Sequence, residues 1–292
     1  MGAVTKIEWC DHTFNPWWGC TQVSPLCDRC YAMALDVRWF KRVHWGPRAP
    51  RRYFGDAHWR EPLKWNRLAQ AQHQRKRVFC ASMANVFDHQ VDQALRDRLW
   101  SLIGRTPNLD WLILTKRIGN APKMLPADWG GGYSNVWLLA SVDRVALERD
   151  APKLLAIPAV VHGVSIEPQL APVCLGSFAR VLQWVIVGGE SGAGARPFHL
   201  EWAHSLIEEC RASETAIFVQ KVGSKPFQHG RSLRFNAYAG GDVTEWPPDL
   251  RIRQFPFNHF GRCQKPSANT SSDTPVQPCE KGRRQACKFR LQ

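Results

Sequence analysis

No apolar run in this 292-residue chain approaches the roughly 20 residues that cross a bilayer. The first residues, MGAVTKIEWCDH, lack the apolar stretch of a secretory leader. Neither export nor membrane insertion is predicted, so a reducing cytoplasm is the expected compartment. Thiols stay reduced there, which argues against reading the ten cysteines as a disulfide framework. Acids are also scarce, 25 against 39 lysines and arginines, for a net charge of +14. The shortage is uneven. Residues 38–77 hold twelve bases and only Asp56 and Glu61, while residues 258–292 hold seven bases and two acids. His199 and His204 lack the HExxH pattern of a helix-borne zinc site and are expected to cover a helix start. GGESGAG (188–194) follows a strand and precedes a helix but has neither the dinucleotide fingerprint nor P-loop spacing, which makes a phosphate cradle the weakest reading of it.

What the chain does have is three cysteines within eleven residues: Cys20, Cys27 and Cys30, in GCTQVSPLCDRCY. Thiolates are soft ligands for zinc or for iron–sulfur clusters, and three on one loop leave one coordination position open. In a zinc reading Cys10 or His12 completes the set. Cys10 equally suits a buried thiol beside Trp9. Cys80, Cys174 and Cys210 lie in apolar surroundings and are expected to be small core residues.

Six apolar runs of strand length follow: 77–82, 110–116, 135–142, 159–166, 183–189 and 216–221. They are continuous rather than alternating, as strands covered on both faces should be. Their starts lie 24 to 33 residues apart, enough for a crossover helix each time. Helical spacing at 91–103 and 201–210 supports this. The expected fold is α/β, a partial or complete parallel (β/α) barrel, with KIEW (6–9) as its first strand. Nearly every run ends in small polar or charged residues: Ser82 and Asn85; Thr115, Lys116 and Arg117; Ser141 and Asp143; Ser165 and Glu167; Gly188, Gly189, Glu190 and Ser191. Strand C-termini form the active face of such barrels, so these groups should converge on one mouth.

The basic stretch 38–77 reads as an insertion and carries seven aromatics, from Trp39 to Trp65. Basic and aromatic side chains together suit nucleic-acid contact, with Arg48, Arg51 and Arg52 as candidates. The competing reading packs the aromatics on the core under the Arg and Lys stems. A barrel domain over 1–257 and a basic, low-complexity, disordered tail over 258–292 complete the expected organisation.

The runs IEWCDHTFNPWWGCTQVSPLCDRCYA, VFCASMANVFDH, LILTKR, VHGVSIEPQLAPV and WVIVGGESGAGARPFHLEW resemble a phage-type family assigned to the radical S-adenosylmethionine superfamily, over residues 6–225. The resemblance implies a 4Fe–4S cluster on Cys20, Cys27 and Cys30, with S-adenosylmethionine chelating the open iron. It implies reductive cleavage of that cofactor to a 5′-deoxyadenosyl radical, hydrogen abstraction from an unassigned substrate, and a flavodoxin- or ferredoxin-type electron donor. Nucleic acid is one candidate substrate. By motif, Ser82 and Asn85 should lie near the methionine moiety, and Ser141, Ser165 and Glu167 near the ribose and sulfonium. Gly188 and Gly189 should allow close approach of the cofactor, and Glu190 should bind cofactor or substrate. The chain departs from the pattern in places. Six residues separate Cys20 from Cys27, where the commonest superfamily spacing is three. Arg29 stands where an aromatic usually precedes the last cysteine. Cys10 replaces a usual threonine, and Asn85 an expected aspartate. Gln220–Lys221 reverses the expected order. A zinc-stabilised nucleic-acid-binding protein without catalysis is the reading from another class.

Overall fold

The computed structural model describes residues 5–40 and 44–256; the predicted tail and Cys263, Cys279 and Cys287 lie outside them. The core is one seven-stranded sheet whose strands follow chain order: β1 (His12–Thr13), β2 (Lys76–Cys80), β3 (Leu109–Thr115), β4 (Val136–Ser141), β5 (Val161–Ile166), β6 (Trp184–Gly188) and β7 (Ala216–Lys221). Every pair in the ladder is parallel. Among the described residues β7 does not pair with β1, so the barrel is open.

Alternation along these strands builds two cores. Trp111 and Ile113, Val136 and Leu138, and Val185 and Val187 face outward into the larger cluster beneath the helices. Leu112, Trp137, Leu139, Trp184, Ile186 and Phe218 face inward and fill the barrel with Trp9 and Phe79. Side chains two residues apart share a face, so each inward row, continued to the strand's C-terminal end, arrives at Lys116, Ser141, Ser165, Gly188 and Gln220. The sequence periodicity thus already aims these five at the mouth.

The helices α1 (Tyr31–Phe40), α2 (Asp56–Trp59), α3 (Glu61–Ala71), α4 (Gln93–Gly104), α5 (Arg144–Leu155) and α6 (Leu200–Ala212) cover the outside or link the strands. Asp143, at one strand end, is a helix cap: its carboxylate accepts the Val145 and Ala146 amides and fixes the start of α5. None of the described helices is long and apolar enough to cross a membrane.

Three expectations about the framework change. KIEW forms a turn, closed by the Cys10 amide on the Ile7 carbonyl, and the first strand is His12–Thr13. The apolar side chains of KIEW go into the barrel interior rather than into a ladder: Trp9 packs 4.6 Å from Phe79 and edge-on to Trp184. The stretch 38–77 contains α2 and α3, and α3 is the crossover helix between β1 and β2. Trp45, Trp59 and Trp65 are buried, so these aromatics belong to the core. Cys80 and Cys210 are buried as expected, but Cys174 is exposed, its thiol 3.5 Å from Glu209 Oε1.

Candidate functional site

A cavity of about 420 Å³ opens at the C-terminal ends of the strands, floored by Trp9 and Phe79. Cys20, Cys27 and Cys30 form part of its wall. Ser82, Asn85, Ser141, Ser165, Glu167, Gly189 and Glu190 form much of the rest. Gly188 is not among the lining residues.

The cysteine loop is held from several sides. Cys27 N donates to Ser24 O and Cys30 N to Cys27 O, folding the loop into a short turn that runs into α1. Tyr31 Oη donates to Ser82 O at 2.7 Å, pinning the start of α1 to the end of β2. The Arg51 guanidinium lies beneath the loop, 1% exposed, with Asp88 at 2.8 Å. It also donates to Thr21 Oγ1 and to the His44, Gly46 and Ala49 carbonyls. The Gly46 amide in turn donates to Cys20 O. Opposite, Arg117 donates from Nη2 to Thr21 O at 2.7 Å. Burial raises the Cys20 thiol pKa, and the neighbouring Arg117 cation partly offsets this.

Glu190 grips Arg196 through both oxygens, at 2.7 and 3.1 Å, and accepts the Arg196 amide as well. Burial alone would raise its pKa, but the Arg196 hydrogen bonds outweigh burial and lower it. Arg196 also donates to Pro25 O. The pair therefore fastens the glycine-rich loop to the cysteine loop, which occupies the carboxylate expected to bind a ligand. Glu167 stands differently. Burial raises its pKa, while Lys221, Ser165 and Lys116 pull it down by smaller amounts. Asn85 Oδ1 accepts from Thr115 Oγ1 at 2.9 Å and from the Phe87 amide at 3.0 Å, so this oxygen is used in shaping the wall.

The glycines answer to the chain itself. A Cβ on Gly189 would sit 2.5 Å from Val222 O, and one on Gly188 would sit 2.9 Å from Glu167 Oε1 and 3.2 Å from Lys221 O. Their lack of a side chain lets β6 run out against the end of β7.

The basic candidates separate. Arg51 is internal and ion-paired, so it is not a nucleic-acid contact. Arg52 lies over the rings of Phe40 and Trp18, at 4.2 and 4.8 Å, stacked within the protein. Of the three, only Arg48 is exposed.

Among the described residues, no three His, Cys, Asp or Glu side chains converge enough to hold one metal ion. A tetrahedral zinc site needs sulfurs about 3.8 Å apart, given a zinc–sulfur bond of about 2.3 Å. Its proposed fourth ligands are elsewhere: the Cys10 thiol is pushed up to about 12 by burial in the barrel core, and the His12 ring stacks on Trp65 at 4.5 Å. A 4Fe–4S cluster needs less convergence, because each thiolate takes its own iron. Arg117 adds a fitting feature: its Nε is buried without an acceptor, on the side chain that neighbours Cys20. Such an N–H suits a cluster sulfur. The donor set fits a three-cysteine cluster better than zinc.

Comparison with known proteins now adds a family. The model of DUF5131, described as a protein of unknown function, matches residues 4–264. The chain belongs to this family. No curated protein matches it. Two structures of spore photoproduct lyase are similar. One is a mutant with bound AdoMet and dinucleoside spore photoproduct, at TM-score 0.41 and 12% identity, over 73% of this chain and 56% of that one. The other is a second mutant, at TM-score 0.41 and 14% identity, over 63% and 57%. This DUF5131 chain therefore matches little more than half the length of either.

Lys116 lines the cavity, as its strand end suggests, and so do Gln220 and Lys221, which the sequence does not single out as site residues. Strand alternation was the available signal for Lys116 and Gln220. Lys221 reaches the cavity because the β7 register shifts between Val219 and Lys221, and nothing in the sequence marks that bulge.

Proposed function

We propose that this protein is a radical S-adenosylmethionine-type iron–sulfur enzyme. The observation that carries the reading is the single cavity on which the three thiols of one loop and the polar ends of β2 to β6 meet. Cys20, Cys27 and Cys30 would hold three irons of a 4Fe–4S cluster and leave the fourth for S-adenosylmethionine. When bound, the pair supplies a low-potential electron and, by reductive cleavage of the sulfonium, a radical that abstracts hydrogen from a substrate.

The chain's own residues do the positioning. Arg51 and Arg117 both hold Thr21, next to Cys20, by its hydroxyl and its carbonyl, and the Glu190–Arg196 pair ties the far side of the loop to β6. Trp9 and Phe79 close the floor, and an apolar floor keeps water from a reactive intermediate. The Ser141 and Ser165 hydroxyls and the Glu167 carboxyl offer hydrogen-bonding groups to a ribose. Asn85 brings an amide, so the wall lacks the acid that the resemblance leads one to expect there. The reading also calls for a low-potential electron donor of flavodoxin or ferredoxin type.

The test is anaerobic reconstitution with iron and sulfide, reduction, and assay of S-adenosylmethionine for release of 5′-deoxyadenosine. Release that disappears in Cys20→Ala, Cys27→Ala and Cys30→Ala supports the reading. Release that survives in all three refutes it.

A further inference from the structure

Lys116, Lys221 and Gln220 line the cavity without a role in holding the cysteine loop. Both lysines are half-buried. Glu167 feels both charges, yet among the described residues neither amine forms an ion pair with it or with any other carboxylate. The other cavity carboxylate, Glu190, is taken by Arg196. The wall therefore presents two cations without counter-ions, partly withdrawn from water, an arrangement that a bound anion relieves. Gln220 adds a separate observation: it is 8% exposed, and its Oε1 is buried with no donor. A buried acceptor left open costs free energy unless a ligand supplies the N–H or O–H. Gln220 and Lys221 are neighbours on β7, and Lys116, just past the end of β3, faces the same Glu167 carboxyl as Lys221.

We infer that Lys116, Lys221 and Gln220 form a subsite for an anionic substrate, one bearing a phosphate or carboxylate next to a hydrogen-bond donor. The inference rests on the reading of this cavity as an active site. Lysine ammonium groups act as point charges and suit either anion, unlike the planar fork of arginine. The subsite lies on β3 and β7, whereas the thiols come from the loop after β1.

The experiment is calorimetric titration of the full chain, with and without reconstituted cluster, at fixed ionic strength. The probes are adenosine 5′-monophosphate, adenosine and N-acetylglutamate. One of the two anions should bind, the nucleotide marking a phosphate site and N-acetylglutamate a carboxylate site, with adenosine at least tenfold weaker. Lys116→Met and Lys221→Met should each weaken that binding at least tenfold, with melting temperatures at or above wild type, since each removes an unpaired charge. Gln220→Leu should weaken it by a smaller factor. Three results overturn the subsite: no binding of either anion, variants that bind like wild type, or one-for-one displacement of the anion by S-adenosylmethionine. The last would assign the lysines to the cofactor's own carboxylate. Anion binding retained by a chain that assembles no cluster would refute the iron–sulfur reading and leave the subsite standing.

Discussion

Arg51→Met separates a structural arginine from a surface one. The guanidinium is 1% exposed, its partner Asp88 is 0% exposed, and the two are 2.8 Å apart. Removing one member of a buried pair strands the other charge, at a cost of about 3–5 kcal/mol. The substitution also withdraws donors from Thr21 Oγ1 and from three carbonyls of the 44–49 segment, so the upper end of that range is expected. Against a typical total of about 5–15 kcal/mol this is a large fraction. Urea denaturation followed by tryptophan fluorescence measures it, with the slope checked for constancy. The double variant Arg51→Met/Asp88→Asn should recover much of the loss, because no buried charge is then left alone. A loss below about 0.5 kcal/mol, the ordinary range for surface substitutions, combined with weakened nucleic-acid binding, would refute the burial argument and restore Arg51 as a contact residue.

Two further substitutions test the cavity wall. Burial raises the Glu167 pKa, so the folded chain holds that proton more tightly than the unfolded one. Its contribution is complete below the ordinary glutamate value and is lost as pH rises through the folded value. Glu167→Gln should therefore melt above wild type at neutral pH, with the difference closing toward about pH 4; a lower melting temperature at neutral pH would mean that Lys116 and Lys221 hold the carboxylate ionised. Gly189→Ala should lose about 1–3 kcal/mol with no ligand present, since its Cβ meets Val222 O at 2.5 Å. Unchanged stability with lost S-adenosylmethionine binding would show that the glycine serves the cofactor instead.

The strands from β2 to β7 could be read because each is a continuous apolar run, and burial on both faces demands that composition. β1 could not. It has two residues, His12 and Thr13, and among the described residues pairs with β2 alone, too short for any periodicity to register. KIEW looked like a strand because filling a barrel requires the same apolar residues as building one. The cysteines and the polar strand ends stood out because thiols and hydroxyls are rarely crowded without a reason. The burial of Arg51 could not be read because a formal charge looks the same whether a carboxylate faces it from 37 residues away or solvent does. Glu190 posed a similar difficulty: its partner Arg196 lies six residues on, but only the folded loop shows both oxygens occupied. Gly188 and Gly189 drew attention for a sound reason, close approach, and the chain at the end of β7 is one group that approaches them.

The measurement that bears most directly on the account is iron and acid-labile sulfide per chain after anaerobic reconstitution, for wild type and Cys27→Ala. The account predicts about four of each per wild-type chain, as a 4Fe–4S cluster requires, and loss of most of both in the variant. Full iron content in Cys27→Ala, or a wild-type chain that takes up a single zinc and no sulfide, would contradict it.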